Sequence, residues 1–282
     1  MKLALSSVAG CTLALLGFVA VPCVSAATIT VTSSNPSGWT LYETGVYDNA
    51  PASNGGSANF VNGPGTPPLG TGSAHLQTGA GFGDSSVQLR NDSWAGVLIS
   101  SLTALSYSTY GSAWNGQQMT YLTLYLDLDG DGTYDSNFDD RLHFEPDYSS
   151  AGAGNGNPSP QPAPVLGQWQ EWNLLTGMWY SDTLGGPGSN AITLGTYTAA
   201  NPTAQIVNPT GSFGGIRITS GFASDTDNFN MYVDAFTIGT GRGITVYDFE
   251  LQDAATAVPE PASMLLLGSG LAAVAARRRR RG

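Results

Sequence analysis

Between two apolar runs lies the segment Asp127-Leu128-Asp129-Gly130-Asp131-Gly132-Thr133-Tyr134-Asp135. Carboxylates at every second position fall on one side of a curling backbone, Gly132 allows the sharp turn, and Thr133 can offer its carbonyl. Hard oxygen ligands at this spacing suit calcium. Four aspartates held this close repel one another without a cation. That repulsion favours an ion over the bland alternative, an acidic turn that only keeps a hairpin soluble.

These are positions one, three, five, seven and nine of an EF-hand-type calcium loop. Position twelve, where a bidentate glutamate belongs, is Phe138, so Asp139 or Asp140 would have to substitute and affinity would fall. The flanks are not helical. Leu122, Leu124, Leu126 and Leu128 alternate through Tyr121 to Leu128, and Arg141 to Phe144 supplies a return strand. The loop therefore belongs in a β-hairpin, and it resembles the calcium loops of extracellular β domains rather than a helix-loop-helix sensor.

A second acidic group, Asp225-Thr226-Asp227-Asn228, precedes the strand Met231-Tyr232-Val233-Asp234-Ala235-Phe236-Thr237-Ile238. Both faces of that strand are mostly apolar, so Asp234 is expected to be buried, which costs several kcal/mol unless it is paired or metal-bound. A structural hydrogen bond to a nearby turn is the equal alternative. Strands reading Tyr-Val-Asp-Ala-Phe, with Gly72-Ser73-Ala74-His75-Leu76 upstream, resemble those of carbohydrate-binding-module and galactose-binding-like sandwiches. The resemblance implies a structural calcium near Asp234.

Between Thr28 and Ala257 four arginines (Arg90, Arg141, Arg217, Arg242) face 20 acidic residues, the chain's 21 less Glu260, a net charge of −16. Such a field repels phosphate backbones and anionic membranes, which argues against nucleic-acid binding and for cations and neutral ligands. Both cysteines, Cys11 and Cys23, precede this region, so neither disulfides nor thiolate chemistry operate in it. With only His75 and His143, no G-x-S-x-G elbow and no H-E-x-x-H, nothing local marks an enzyme. A glycosidase carboxylate pair has no sequence signal of its own. His143, between Leu142 and Phe144, is expected to be a strand-face residue. Six tryptophans and twelve tyrosines offer platforms for sugar rings, although such residues more often fill a core. In Trp169-Gln170-Glu171-Trp172 the two indoles face opposite sides of a strand, so at most one is core.

Short apolar runs punctuated by Gly, Ser, Thr and Asn predict strands over Ser73–Gln77, Ser86–Arg90, Gly96–Ser100, Ala104–Thr109, Met119–Leu128, Arg141–Phe144, Gln168–Leu174, Gly215–Thr219, Met231–Ile238 and Ile244–Phe249. With no long stretch of helical period, the fold class is all-β, a single jelly-roll-like β-sandwich. Residues 149–164, rich in Gly, Pro and Asn, read as a flexible surface loop.

The ends carry addresses. Met1-Lys2, an apolar run from Leu3 to Val21 and Val24-Ser25-Ala26-Ala27 describe a secretory signal peptide cleaved after Ala26. Val8-Ala9-Gly10-Cys11 offers a competing lipoprotein box that would acylate Cys11, but the apolar run continues beyond it. At the other end Val258-Pro259-Glu260-Pro261 precedes an apolar segment, Met264 to Ala276, and five arginines, Arg277 to Arg281. Thirteen helical residues cover ~20 Å against the ~30 Å of a bilayer core. The segment thus suits transient membrane contact, with the arginines left in the cytoplasm, better than a permanent tail anchor. Pro259 and Pro261 keep the motif extended.

The Pro-Glu-Pro motif, apolar segment and arginine cluster, behind a signal peptide, resemble the PEP-CTERM sorting signal. The resemblance implies processing by an exosortase after Sec export, in a Gram-negative bacterium that makes extracellular polysaccharide. The organisation expected is a signal peptide over 1–26, a β-sandwich over 27–256 and a sorting signal over 257–282. The function expected is that of a non-enzymatic surface or matrix protein, with a specific carbohydrate-binding module, and then a polysaccharide hydrolase or lyase, as alternatives.

Overall fold

The computed structural model describes residues 26–44, 56–79, 86–116, 118–149, 161–183, 191–209, 214–221 and 227–252. The described strands, in chain order, begin with β1 (Ala26–Val31), β2 (Trp39–Thr44), β3 (Ser57–Asn62), β4 (Gly72–Gln77) and β5 (Ser86–Asn91). They continue with β6 (Leu102–Ala113), β7 (Tyr121–Asp127), β8 (Asp140–Phe144), β9 (Trp169–Asn173) and β10 (Met178–Ser181). They end with β11 (Ile192–Thr193), β12 (Gln205–Ile206), β13 (Ile216–Gly221), β14 (Asn230–Thr240) and β15 (Gly243–Phe249). Two short helices, α1 (Pro146–Ser149) and α2 (Leu194–Ala200), interrupt them. The expected signal peptide, its cleavage context before Ala26 and the sorting segment 257–282 lie outside the described residues. Among those described, no helix is long and apolar enough to cross a membrane.

The strands form two packed sheets, an all-β sandwich. One sheet runs β1-β15-β14-β4-β3, with β6 added on β14 and β9 on β6; the other runs β11-β10-β8-β7-β13-β5-β2, with β12 beside β7. Alternation decides which side chains enter the space between them. Leu122, Leu124 and Leu126 of β7, Leu142 and Phe144 of β8, Ile216 and Ile218 of β13 and Val87 and Leu89 of β5 are fully buried. From the first sheet they meet Leu105, Tyr107, Trp172, Met231, Val233, Phe236 and Phe249. Trp172 is buried and donates Nε1–H to Thr109 Oγ1 at 2.8 Å. Trp169, on the opposite face, donates to the Pro64 carbonyl at 2.9 Å. There it ends a cross-strand row of rings, Trp169, Tyr110, Tyr232 and His75, with centroids 4.4–6.0 Å apart.

The long strand β14 changes partner midway. Asn230 to Val233 pair with β4, whereas Phe236 to Thr240 pair with β15. At the seam Ala235 takes a left-handed φ of +54°, a bulge that a β-branched residue would resist.

Most predicted strands are present with ends shifted by a residue or two. Gly96–Ser100 differs: Gly96 sits at φ +82°, Leu98 makes one isolated bridge to Gln205, and Ile99–Ser101 is a 3₁₀ turn. Gly96 to Ile99 exchange three backbone hydrogen bonds with Ala204 and Ile206, but Leu98 is exposed and the 3₁₀ turn ends the segment before it extends as a strand. Residues 150–160 of the expected loop lie outside the described residues. At its end Gln161 is buried and donates Nε2–H to the Asn173 carbonyl at 2.7 Å.

Trp39 of β2 is buried edge-on against Phe236, Tyr247 and Phe249, with centroids 5.0–5.4 Å apart. Trp39→Ala is expected to cost about 3–5 kcal/mol, which urea denaturation followed by circular dichroism would measure as a lower midpoint at unchanged slope.

Candidate functional site

The aspartate loop is the β7–β8 connection. The Leu stripe fixes β7 into the core, so Asp127 arrives at the strand end buried, and Gly130 and Gly132 reverse the chain at φ +84° and +79°. Asp127 Oδ1 accepts from Gly130 N–H at 2.6 Å, and Oδ2 accepts from Gly132 N–H at 2.9 Å and Gln205 Nε2–H at 2.8 Å. Burial pushes the Asp127 carboxyl up, but these three donors outweigh it and hold the group below the usual range, so it stays anionic.

Asp139 closes the loop, accepting from Leu128 N–H at 2.8 Å and Asp135 N–H at 2.7 Å. Ligand oxygens of Asp127, Asp129 and Asp139 all lie within 4.8 Å of one another. This triplet is able to hold a metal ion. Asp131, Thr133 and Asp135 stand outside the triplet: Asp131 Oδ1 accepts from Thr133 N–H and Oγ1–H, and Asp135 Oδ1 accepts from Asn137. Phe138, at the twelfth position, is 66% exposed. Of the two candidates to replace it, Asp139 joins the site. Asp140 turns away, accepting from Thr183 Oγ1–H and Tyr197 Oη–H, each at 2.9 Å.

The described members of the second acidic group make separate hydrogen bonds. Asp225 lies outside the described residues. Asp227 Oδ2 accepts from Asn115 Nδ2–H at 3.1 Å. Asp234 is fully buried at the seam of β14, accepting from Leu69 N–H at 2.9 Å and Phe249 N–H at 3.2 Å. It thereby ties the β3–β4 connection to the end of β15. Burial pushes its carboxyl up to about 7 against those donors.

The face of the second sheet turned away from the core carries a site that sequence reading did not assemble. Cross-strand register places Arg217 of β13 beside Thr123 of β7, then His143 of β8, then Tyr180 of β10. Tyr121, Tyr125, Arg141, Glu145 and Asp182 flank this row, and together they line a cavity of about 290 Å³, close to the small end of ligand pockets, ~300 Å³. His143 stacks on Tyr180 with centroids 5.0 Å apart, and its Nδ1 is 2.9 Å from Thr123 Oγ1. Asp182 Oδ2 accepts from Arg141 Nε–H at 2.5 Å, and Oδ1 is 3.5 Å from His143 Nε2. Burial works against ionisation of Asp182, yet His143 and Arg141 hold its carboxyl down to about 2.

Glu145 differs. It is buried and accepts from Tyr180 Oη–H at 3.2 Å, while its Oε1 has no hydrogen-bond partner among the described residues. Burial pushes its carboxyl up to about 8, with the Tyr180 hydroxyl and the Met119 N–H only partly opposing it. Burial thus favours its neutral form. The signal for this face was the set of alternating polar residues, Tyr121, Thr123 and Tyr125 against Arg141, His143 and Glu145. His143 is on a strand face as expected, but that face is the floor of a cavity.

Residues 257–281 match the family model of the PEP-CTERM protein-sorting motif. The chain carries an exosortase sorting signal. PEP-CTERM sorting makes it an exported, membrane-processed protein recognised by an exosortase. The match spans the tail alone, and no curated protein matches the chain.

A carboxyl whose folded pKa is raised gives stability that is full below its unfolded value, near 4.5, and is lost as pH rises through about 8. Every tenfold difference in proton affinity between the folded and unfolded chain is worth ~1.4 kcal/mol. Glu145→Gln keeps an acceptor for Tyr180 and removes the ionisation. Thermal melts from pH 4 to pH 9 are expected to show the variant gaining on the parent from about pH 5 up to about pH 8 and no further above it.

Proposed function

We propose that the chain is a non-enzymatic surface or extracellular-matrix protein of a Gram-negative bacterium, held together in part by calcium and associated with exopolysaccharide. The observation that carries this reading is the sorting motif over 257–281 behind a packed β-sandwich. Sec export would use residues 1–26, and residues 264–276 would hold the protein transiently in the inner membrane until exosortase acts near Val258-Pro259-Glu260-Pro261.

Calcium is supported by the donor set. Three hard carboxylates converge, and Asp127 is kept charged by its own loop. Asp127, Asp129 and Asp139 would hold the ion, which would supply fixed positive charge to a hairpin otherwise rich in like charges. A module with a defined glycan ligand is the second reading, favoured by the aromatic-walled cavity on the second sheet.

Calcium at 100 times its dissociation constant stabilises a native state by ~2.7 kcal/mol. Melting of the mature protein is expected to rise in millimolar calcium, to fall back in chelator, and to be calcium-independent in Asp129→Asn, whose side chain is exposed and bonds only within the loop. No heat on titration with millimolar calcium would remove the metal from this reading. Mass spectrometry of native protein is expected to find an N-terminus at Ala27 and a C-terminus altered near the Pro-Glu-Pro motif. Recovery with Met1 and Gly282 intact would overturn the export reading.

A further inference from the structure

The domain is strongly acidic, yet its few cations are not spread over it. Of the four arginines between Thr28 and Ala257, three lie on the cavity face of the second sheet. Arg90 and Arg217 are directly opposite one another across β5 and β13, a placement that costs free energy unless something offsets it. Arg141 is neutralised by Asp182. Arg217 is not neutralised in that way. It is 4% exposed, its Nε–H donates to the Gly214 carbonyl at 3.2 Å, its guanidinium lies 4.2 Å over the Tyr125 ring, and it makes no ion pair among the described residues. A buried cation that no described carboxylate pairs is expensive, and this one lines the cavity.

The other walls suit a hydroxylated ring. His143 and Tyr180 are stacked, and Thr123, Tyr180 and Glu145 bring polar side chains to the lining. A planar guanidinium receives a carboxylate through paired N–H donors. We propose that this cavity binds a carboxylated saccharide unit, with Arg217 receiving the uronate carboxylate and Tyr180, Thr123 and Glu145 holding ring hydroxyls. The charge distribution favours this ligand: the acidic remainder of the domain disfavours polyanions, and the cavity lining brings in two of its four arginines. The inference rests on the exopolysaccharide reading above and narrows it to acidic polymers.

Isothermal titration of the mature protein with trimers of galacturonate, mannuronate and glucuronate, each beside its neutral counterpart with CH₂OH at C6, tests it. At least one uronate trimer is expected to bind at least tenfold more tightly than its neutral partner, and to weaken at least threefold between 0.05 and 0.5 M NaCl. Arg217→Gln is expected to lose at least tenfold, while Arg242→Gln, at the exposed β14–β15 turn, loses nothing. Should Arg217→Gln fail to fold, Tyr180→Phe with the salt series on the parent protein carries the test. Equal or better binding of the neutral trimers, affinity indifferent to Arg217, or no uronate binding would overturn the inference. Preference for neutral trimers would leave matrix association standing. Uronate binding by a protein that never co-fractionates with exopolysaccharide would leave the cavity standing and remove the association.

Discussion

A strand sends successive side chains to opposite faces, so every apolar residue committed to the core commits its neighbours to the other side. In this protein that constraint governs more than the fold. Burying Leu122, Leu124, Leu142, Phe144, Ile216 and Ile218 between the sheets obliges Tyr121, Thr123, Tyr125, Arg141, His143 and Arg217 to share the opposite face. The core and the cavity are thus two consequences of one register. A slip of a single residue would exchange them.

The same strands also place the aspartate loop. β7 carries its leucines inward up to Leu126 and then delivers Asp127 at its end, where Gln205 of β12 and two glycine N–H groups receive the carboxylate. The loop hydrogen bonds orient Asp127 and favour its charged form. Asp234 illustrates the opposite use of a buried carboxylate: two backbone donors from separate segments use it as a joint where β14 changes partner. Similar residues therefore do dissimilar work, set by whether their surroundings lower or raise the cost of charge.

Much of the sandwich was legible because strand alternation and turn residues are local signals. The leucines of β7, the glycines of the aspartate loop and the opposed indoles Trp169 and Trp172 all read correctly from spacing. Gly96–Ser100 misled because an apolar triplet reads alike in a strand and in a segment that makes one bridge and then turns. The short strands β2, β3 and β10 were missed because their partners, not their composition, make them strands. The cavity was least legible. His143, Tyr180 and Arg217 are far apart in the chain, and only the pairing of β10 with β8, β8 with β7 and β7 with β13 sets them in one row. The sorting tail was the reverse case, read from a contiguous motif that needs no fold, and it says where the protein goes without saying what the domain holds.

The two-faced register of the second sheet is best tested by thiol labelling, since no cysteine occurs after Cys23. His143→Cys and Leu142→Cys, adjacent on β8, would each be treated with a small maleimide under native conditions. The thiol at 143 is expected to react in the folded protein, while the thiol at 142 reacts only when urea unfolds it. Equal labelling at both positions, or protection at 143 with reaction at 142, would refute the assignment of the two faces.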